Sequence, residues 1–263
     1  MIADFIKKND LPSYRKDQFN IQFYKNFISC PEEMTDWPKE LREKLQSDLE
    51  FSSIQEEKIF GSIEQATMKV LFKRNSDKKL FESVLLRHKD GRNTVCLSCM
   101  IGCPVGCKFC ATGKMGFVAS LSSREMLDQI LFFERSLKKT GQKVSNIVFM
   151  GMGEPLMNWE NVKEALAIIT DPGKLAMSIR RVTISTCGII SGIKELIKYD
   201  FKGRLAISLH APNQALRESL IPIAKQNKLD DLMNILDEYV KVTNQRISYE
   251  YILLNNVNDS TKE

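Results

Sequence analysis

No stretch of this sequence is long and apolar enough to cross a bilayer, and its first ten residues, Met-Ile-Ala-Asp-Phe-Ile-Lys-Lys-Asn-Asp, lack the apolar core of a secretory leader. A soluble, cytoplasmic protein without membrane contact is expected. Cysteine is scarce along most of the chain, because only Cys30 and Cys187 lie outside residues 96–110. That distribution excludes a small disulfide scaffold. No internal repeat or low-complexity tract interrupts the chain. A large excess of one charge is also missing, since 38 basic and 33 acidic residues leave a formal +5.

What is present is enough apolar material for a real core: 43% of 263 residues, which suits one large unit with a smaller appendage. The charge is segregated more than its total suggests. Residues 32–64 are mostly acidic, whereas Lys69, Lys73, Arg74, Lys78, Lys79, Arg87, Lys89 and Arg92 make the next stretch basic. A basic segment favours a polyanionic partner, although a plain solvated face has the same composition.

Residues 1 to about 60 read as short helices. In one of them Thr35 or Asp36 would cap an amphipathic run through Leu41, Leu45 and Leu49. From Ala66 to Leu86, two alternating segments flank a turn-like Asn-Ser-Asp, as paired strands would. After Asp90-Gly91 the pattern changes to strand, loop and helix in repetition. Strands are expected over 94–98, 146–150, 181–185, 205–209 and 248–254, and helices over 122–138, 159–169, 192–199 and 229–242. Such alternation implies an α/β fold, a barrel or open sheet of parallel strands with crossover helices. The expected division is an N-terminal accessory unit over 1–88 and a (β/α) core over 89–263. Five strands are too few for a closed eight-stranded barrel, so the core is expected to be incomplete at its C-terminal end.

Five cysteines crowd the loop after the first of these strands, in "VCLSCMIGCPVGCKFCATGKMGF". Within it, Cys103, Cys107 and Cys110 are spaced so that three thiolates converge on one centre. A four-iron cubane held by three cysteines keeps one iron without a protein ligand, and that open position can take a substrate such as the amino and carboxylate groups of S-adenosylmethionine. The same spacing, completed by Cys99, suits a structural zinc site. Phe109 between the last two cysteines and the barrel context favour the cluster.

At the end of the next strand comes Gly151-Met152-Gly153-Glu154-Pro155. Its glycines admit close approach of a ligand, and Glu154 can accept from an ammonium group. A plain strand-to-helix turn would use the same residues. Later strands end in Ser185-Thr186-Cys187 and Ser208-Leu209-His210, whose hydroxyls and imidazole suit ribose or carboxylate. A lone His in a loop is as often structural, and Met150, Met152 and Met157 are as readily packing residues.

Taken together, "NTVCLSCMIGC", "CPVGCKFCATGKMGF", "VFMGMGEPLMN", "RRVTISTCGII", "AISLHAPN" and "RISYEYILLNNVND" resemble the radical S-adenosylmethionine superfamily. Within it they resemble the dual-specificity RNA methyltransferases called RlmN, with Cfr a close relative. The resemblance implies a partial radical S-adenosylmethionine barrel and methylation of adenosine C2 in 23S rRNA and tRNA. It implies a 4Fe-4S cluster on Cys103, Cys107 and Cys110, and S-adenosylmethionine bound by Gly153, Glu154, Ser185, Ser208, Leu209 and His210. It also implies a monomer served by a flavodoxin-like electron donor.

Cys96 matches the family's catalytic thiol, and Glu82 matches its assigned proton acceptor; Cys99 has no implied role. In that chemistry a C-terminal cysteine carries the methyl group. The thiol matching Cys96 removes the C2 proton and pairs with the carrier as a transient disulfide. No cysteine follows Cys187 here. The chain is therefore expected to be C-terminally truncated and incomplete for turnover. Adenine C8-methylating relatives share these motifs, and a radical enzyme acting on a small molecule is the other alternative.

Overall fold

The computed structural model describes residues 2–261, so Met1, Lys262 and Glu263, the outer ends of the two expected units, lie outside the described residues. The chain opens with α1 (Ile2–Lys8), α2 (Tyr14–Asn20) and α3 (Lys39–Asp48), followed by three antiparallel strands, β1 (Ile54–Phe60), β2 (Thr67–Arg74) and β3 (Leu80–Arg87). Then β4 (Asn93–Cys96) leads into a hairpin of β5 (Met100–Gly102) and β6 (Phe117–Ser120), with the short α4 (Ala111–Lys114) between its strands. The alternation that follows is α5 (Ser123–Lys138), β7 (Asn146–Phe149), α6 (Trp159–Thr170), β8 (Val182–Thr186), α7 (Ile190–Lys198), β9 (Arg204–Ser208), α8 (Gln214–Leu220), α9 (Leu229–Thr243) and β10 (Ile247–Glu250).

One eight-stranded sheet runs β1-β2-β3-β4-β7-β8-β9-β10. From β4 to β10 every pairing is parallel, so all the strand C-termini emerge at one edge. This is the expected α/β architecture. Its inner strands, such as Val182–Thr186 and Arg204–Ser208, are β-branched and apolar because helices cover the parallel sheet. Among the described residues no helix is long and apolar enough to cross a membrane.

The N-terminal segment departs from expectation in two places. Helices end at Asp48, and Ile54–Phe60 is a strand. Its run Gln-Glu-Glu-Lys hides the alternation because β1 is an exposed edge paired only with β2, where charge discourages further pairing. Helix α3 starts after Pro38 and is not capped by Thr35 or Asp36. A residue before proline is kept out of the α region, so Trp37 cannot be helical, while Pro38 itself suits a helix start.

Helix α5 joins the two halves. A capping box starts it: the Ser122 hydroxyl accepts from the Glu125 N–H at 3.2 Å, and the Glu125 carboxylate accepts from the Ser122 N–H at 2.7 Å. Met126, Ile130, Phe133 and Leu137 pack into the main core, while Leu131 completes a second core of Phe5, Phe19, Phe23, Met34, Trp37 and Leu45. Its polar face clamps the N-terminal backbone. Arg135 donates to Phe27 O at 3.0 Å and Ile28 O at 2.8 Å, and Asp128 accepts from the Ser53 N–H and hydroxyl, each at 2.7 Å.

Glu134, on the same helix, is buried with one backbone partner, the Val144 N–H at 3.2 Å. Burial pushes its carboxyl from an ordinary 4.5 up to about 7, and Lys143 opposes this only in part. Between those values the folded state binds more protons than the unfolded state. The stability this group supplies is therefore full below about 4.5 and is lost as pH rises through about 7. Glu134→Gln keeps an acceptor for Val144. It should match the parent in urea midpoint at pH 5 and exceed it at pH 8, by on the order of 3 kcal/mol at about 1.4 kcal/mol per pH unit. Equal midpoints at pH 8 would show that Glu134 ionises without cost.

Candidate active site

The cysteine loop leaves the sheet at Ser98, which is fully buried and tied in four directions. Gln129 of α5 accepts from the Ser98 N–H and donates to its carbonyl, both at 3.0 Å. The Ser98 hydroxyl donates to Glu82 O and accepts from the Met152 N–H at 2.8 Å. One residue, through its backbone and its hydroxyl, thus joins β3, α5 and the glycine loop to the root of the cysteine loop. Asn158 adds a second staple, donating at 2.8 Å to both Cys99 O and Leu121 O.

The glycine loop fits beneath this root only because its glycines lack side chains. A Cβ on Gly153, whose φ is +104°, would stand 2.5 Å from the Met100 Cβ, and one on Gly151 would stand 2.6 Å from Leu97 O. The loop then turns Glu154 inward, where its carboxylate accepts from the Cys187 N–H at 2.8 Å and the Leu156 N–H at 3.1 Å. Burial raises the Glu154 pKa, and those backbone donors oppose the rise.

At the C-terminal ends of the parallel strands lies a cavity of about 200 Å³. Cys103, Cys107, Cys110, Gly153, Glu154, Ser185, Ser208 and His210 all line it. Larger grooves, such as one of about 860 Å³ between α7 and α9, contain none of the cysteines. Leu209 does not line the cavity; its N–H donates to Glu250 O at 3.1 Å and so pins β9 to β10.

Cys96 and Glu82 also lie outside the lining. Cys96 stands opposite Val84, two residues along β3 from Glu82, so both side chains project from one face of the sheet. The Glu82 carboxylate is taken by Lys69 at 3.0 Å. All seven cysteines are free. The disulfide that the resemblance implies is therefore not formed, and the resemblance places the partner of Cys96 outside these residues.

Three loop thiols on one cavity are a donor set that suits an iron–sulfur cluster. Among the described residues no three Cys, His, Asp or Glu side chains stand close enough to hold one metal ion. Yet Cys103, Cys107 and Cys110 share the cavity and feel one another's charge. Burial first, then Cys103 and Cys110, push the Cys107 thiol up to about 12. A cationic iron–sulfur core would relieve both causes. Cys99, the fourth ligand of the zinc alternative, is instead buried in the apolar core, with its thiol donating to Met152 O at 3.7 Å.

His210 is more specialised than its sequence context suggests. It sits in the left-handed region at φ 57°, and its Nδ1 accepts from the Ile252 N–H at 3.1 Å. Burial, then the positive charge of Arg217, hold its pKa down to about 4. The ring is neutral at pH 7, and because Nδ1 is an acceptor, the proton sits on Nε2 as a donor. Phe109 meets the ring edge-on at 4.8 Å between centroids, and Asn258 donates to the His210 carbonyl at 2.8 Å.

Glu250 was not singled out by the sequence reading. It accepts from the Ser185 hydroxyl at 3.1 Å and lines the cavity with Ser185 and Ser208. An acidic residue inside the strand expected over 248–254 was its only local signal. Ser98, Gln129, Asn158 and Asn258 had none.

Comparison with known proteins places this geometry. A family model described as the Radical SAM superfamily matches residues 97–263. A probable dual-specificity RNA methyltransferase RlmN of Dictyoglomus thermophilum is 41% identical, over 98% of this chain and 73% of its own length. A probable dual-specificity RNA methyltransferase RlmN 2 of Protochlamydia amoebophila is 37% identical over 98% and 72%. The crystal structure of a radical SAM methyltransferase from Sphaerobacter thermophilus superposes with a TM-score of 0.95 at 35% identity, covering 99% of this chain and 76% of that one. With its cavity, its three free thiols and these relatives, the chain belongs to the RlmN family of radical S-adenosylmethionine RNA methyltransferases, enzymes that work with a 4Fe-4S cluster and S-adenosylmethionine.

Proposed function

We propose that this chain supplies the radical-generating core for methylation of adenosine C2 in 23S rRNA and tRNA. The observation that carries the reading is the convergence of three free cysteines, Glu154 and His210 on one cavity at the C-terminal edge of the parallel strands. Cys103, Cys107 and Cys110 would hold the cluster. When bound, the reduced cluster with S-adenosylmethionine supplies a 5′-deoxyadenosyl radical. Glu154 would accept from the methionine ammonium, and the Nε2–H of neutral His210 would donate to an oxygen of the same cofactor. Ser185, Ser208 and Glu250 form a hydroxyl–carboxylate set suited to ribose.

Cys96 would take the C2 proton. Burial pushes its thiol up to about 11, against a favourable contact from the Met150 backbone, so it rests protonated at neutral pH. It becomes a base only once a nearby positive charge lowers that value. Adenine C2 lies within the base stack, so the target adenosine must be unpaired or extruded to reach the cavity. The methyl carrier of this reading is a cysteine outside residues 1–263. Cys187 is a poor substitute because it is 6% exposed and fixed at the end of β8.

In this reading residues 1–88 form the RNA-contacting accessory unit and 89–263 the radical core, in a cytoplasmic monomer reduced by a flavodoxin-like donor. The basic stretch is less available to phosphate than its composition suggests. Lys69 pairs with Glu82, Lys73 with Glu57, Arg74 and Lys79 with Asp77, and Arg92 with Asp90. Lys78 and Lys89 have no carboxylate partner among the described residues, which makes them the better phosphate contacts.

Three outcomes test this. After anaerobic reconstitution, Cys107→Ala should lose nearly all cluster iron while Cys96→Ala keeps it; full iron in Cys107→Ala would refute the ligand set. Lys78→Glu with Lys89→Glu should weaken binding to an rRNA fragment and flatten the dependence of log K on log salt by roughly two counterions. An unchanged slope would move the RNA surface elsewhere. Residues 1–263 alone, given S-adenosylmethionine and reductant, should form 5′-deoxyadenosine but no 2-methyladenosine in RNA digests analysed by mass spectrometry. A 2-methyladenosine peak above the no-enzyme control would show that no further carrier cysteine is required.

A further inference from the structure

Arg217 lies on α8, one turn after the Asn213 cap, and is completely buried. One of its nitrogens donates to Cys187 O. The other two, Nε and Nη1, are buried without a partner. Among the described residues it forms no ion pair with a carboxylate. A buried guanidinium with two idle donors is strongly destabilising unless an anion sits beside it.

The surroundings show where that anion would be. Helix α8 is docked on the cysteine loop itself, because the Lys108 N–H, next to Cys107, donates to Leu220 O at 2.9 Å. Leu216 and Leu220 of the same helix share a core with Cys103, Cys107 and Phe109. The groups whose charge Arg217 feels are Cys187 and Cys107, and its own positive charge reaches His210. Cys187 is buried and carries a thiol raised well above its ordinary value, so it remains neutral. His210 is neutral as well. The Glu154 carboxylate is taken up by the Cys187 and Leu156 N–H groups and is not among the charges that Arg217 feels, which leaves the cluster thiolates as the anion it faces.

We propose that Arg217 is the built-in counter-charge of the iron–sulfur site, a positioning residue that raises the cluster's reduction potential. This rests on the assignment of Cys103, Cys107 and Cys110 as cluster ligands. A cubane held by three thiolates is a net anion and gains one more negative charge on reduction. A fixed cation in a low-dielectric pocket stabilises the more negative form more strongly. The idle donors of Arg217 then find a partner in the loaded protein that the thiols alone do not provide.

The test is an EPR-monitored redox titration of anaerobically reconstituted protein, with iron and sulfide measured alongside. Arg217→Met should keep the cluster yet be at least tenfold less reduced at a fixed potential, equivalent to about 59 mV for one electron. Arg217→Lys should restore more than half of that shift. If Arg217→Met does not hold iron, Arg217→Gln, which retains a donor for Cys187 O, takes its place. A midpoint equal to the parent's in either loaded variant overturns the proposal. So does an unchanged midpoint with lost S-adenosylmethionine affinity, which would make Arg217 a holder of the cofactor carboxylate. If the parent chain itself binds no cluster, the ligand assignment fails instead.

Discussion

The site depends on satisfying backbone polar groups at the point where the cysteine loop leaves the sheet. An irregular segment entering a buried region carries N–H and C=O groups that water cannot reach, and each one left unpaired costs about 1–3 kcal/mol. Gln129 meets both backbone groups of Ser98, and Asn158 meets the carbonyls of Cys99 and Leu121. With the root held in this way, the hairpin of β5 and β6 can project its three cysteines over the strand ends without a regular element beneath them.

A second constraint is electrostatic. The cavity gathers groups that resist their charged forms when buried: thiols and Glu154 shifted upward, and His210 shifted downward. Such groups are costly to charge in the buried cavity, and an incoming cluster and a zwitterionic cofactor would supply the charges that its donors and acceptors are arranged to meet. Arg217 is the exception, a permanent cation placed behind the cysteine loop.

The N-terminal helices are not loosely tethered to this core. Arg124 of α5 stacks over Phe23 at 4.9 Å, and Arg135 and Asp128 bond the neighbouring backbone. One helix thus braces the cysteine loop through Gln129 and the N-terminal segment through its opposite face.

The alternation of strands and helices, the three-cysteine spacing and the Gly-Met-Gly-Glu-Pro turn were all legible in the sequence, because each is written in neighbouring residues. Hydrophobic periodicity repeats every two or nearly four positions, and the thiols of one loop are close in the chain before they are close in space. Strand β1 was missed because an exposed edge strand needs no buried face, and α8 because a seven-residue helix shows too little of its period. What only the tertiary structure decided are the partnerships across long separations: Ser98 with Gln129, 31 residues apart, and Ser185 with Glu250, 65 apart. Lys69 and Glu82 belong with them, and so do the two idle nitrogens of Arg217. A polar side chain carries no mark of its partner in its own neighbourhood, since burial and the choice of hydrogen bond are set by whatever the folded chain brings beside it.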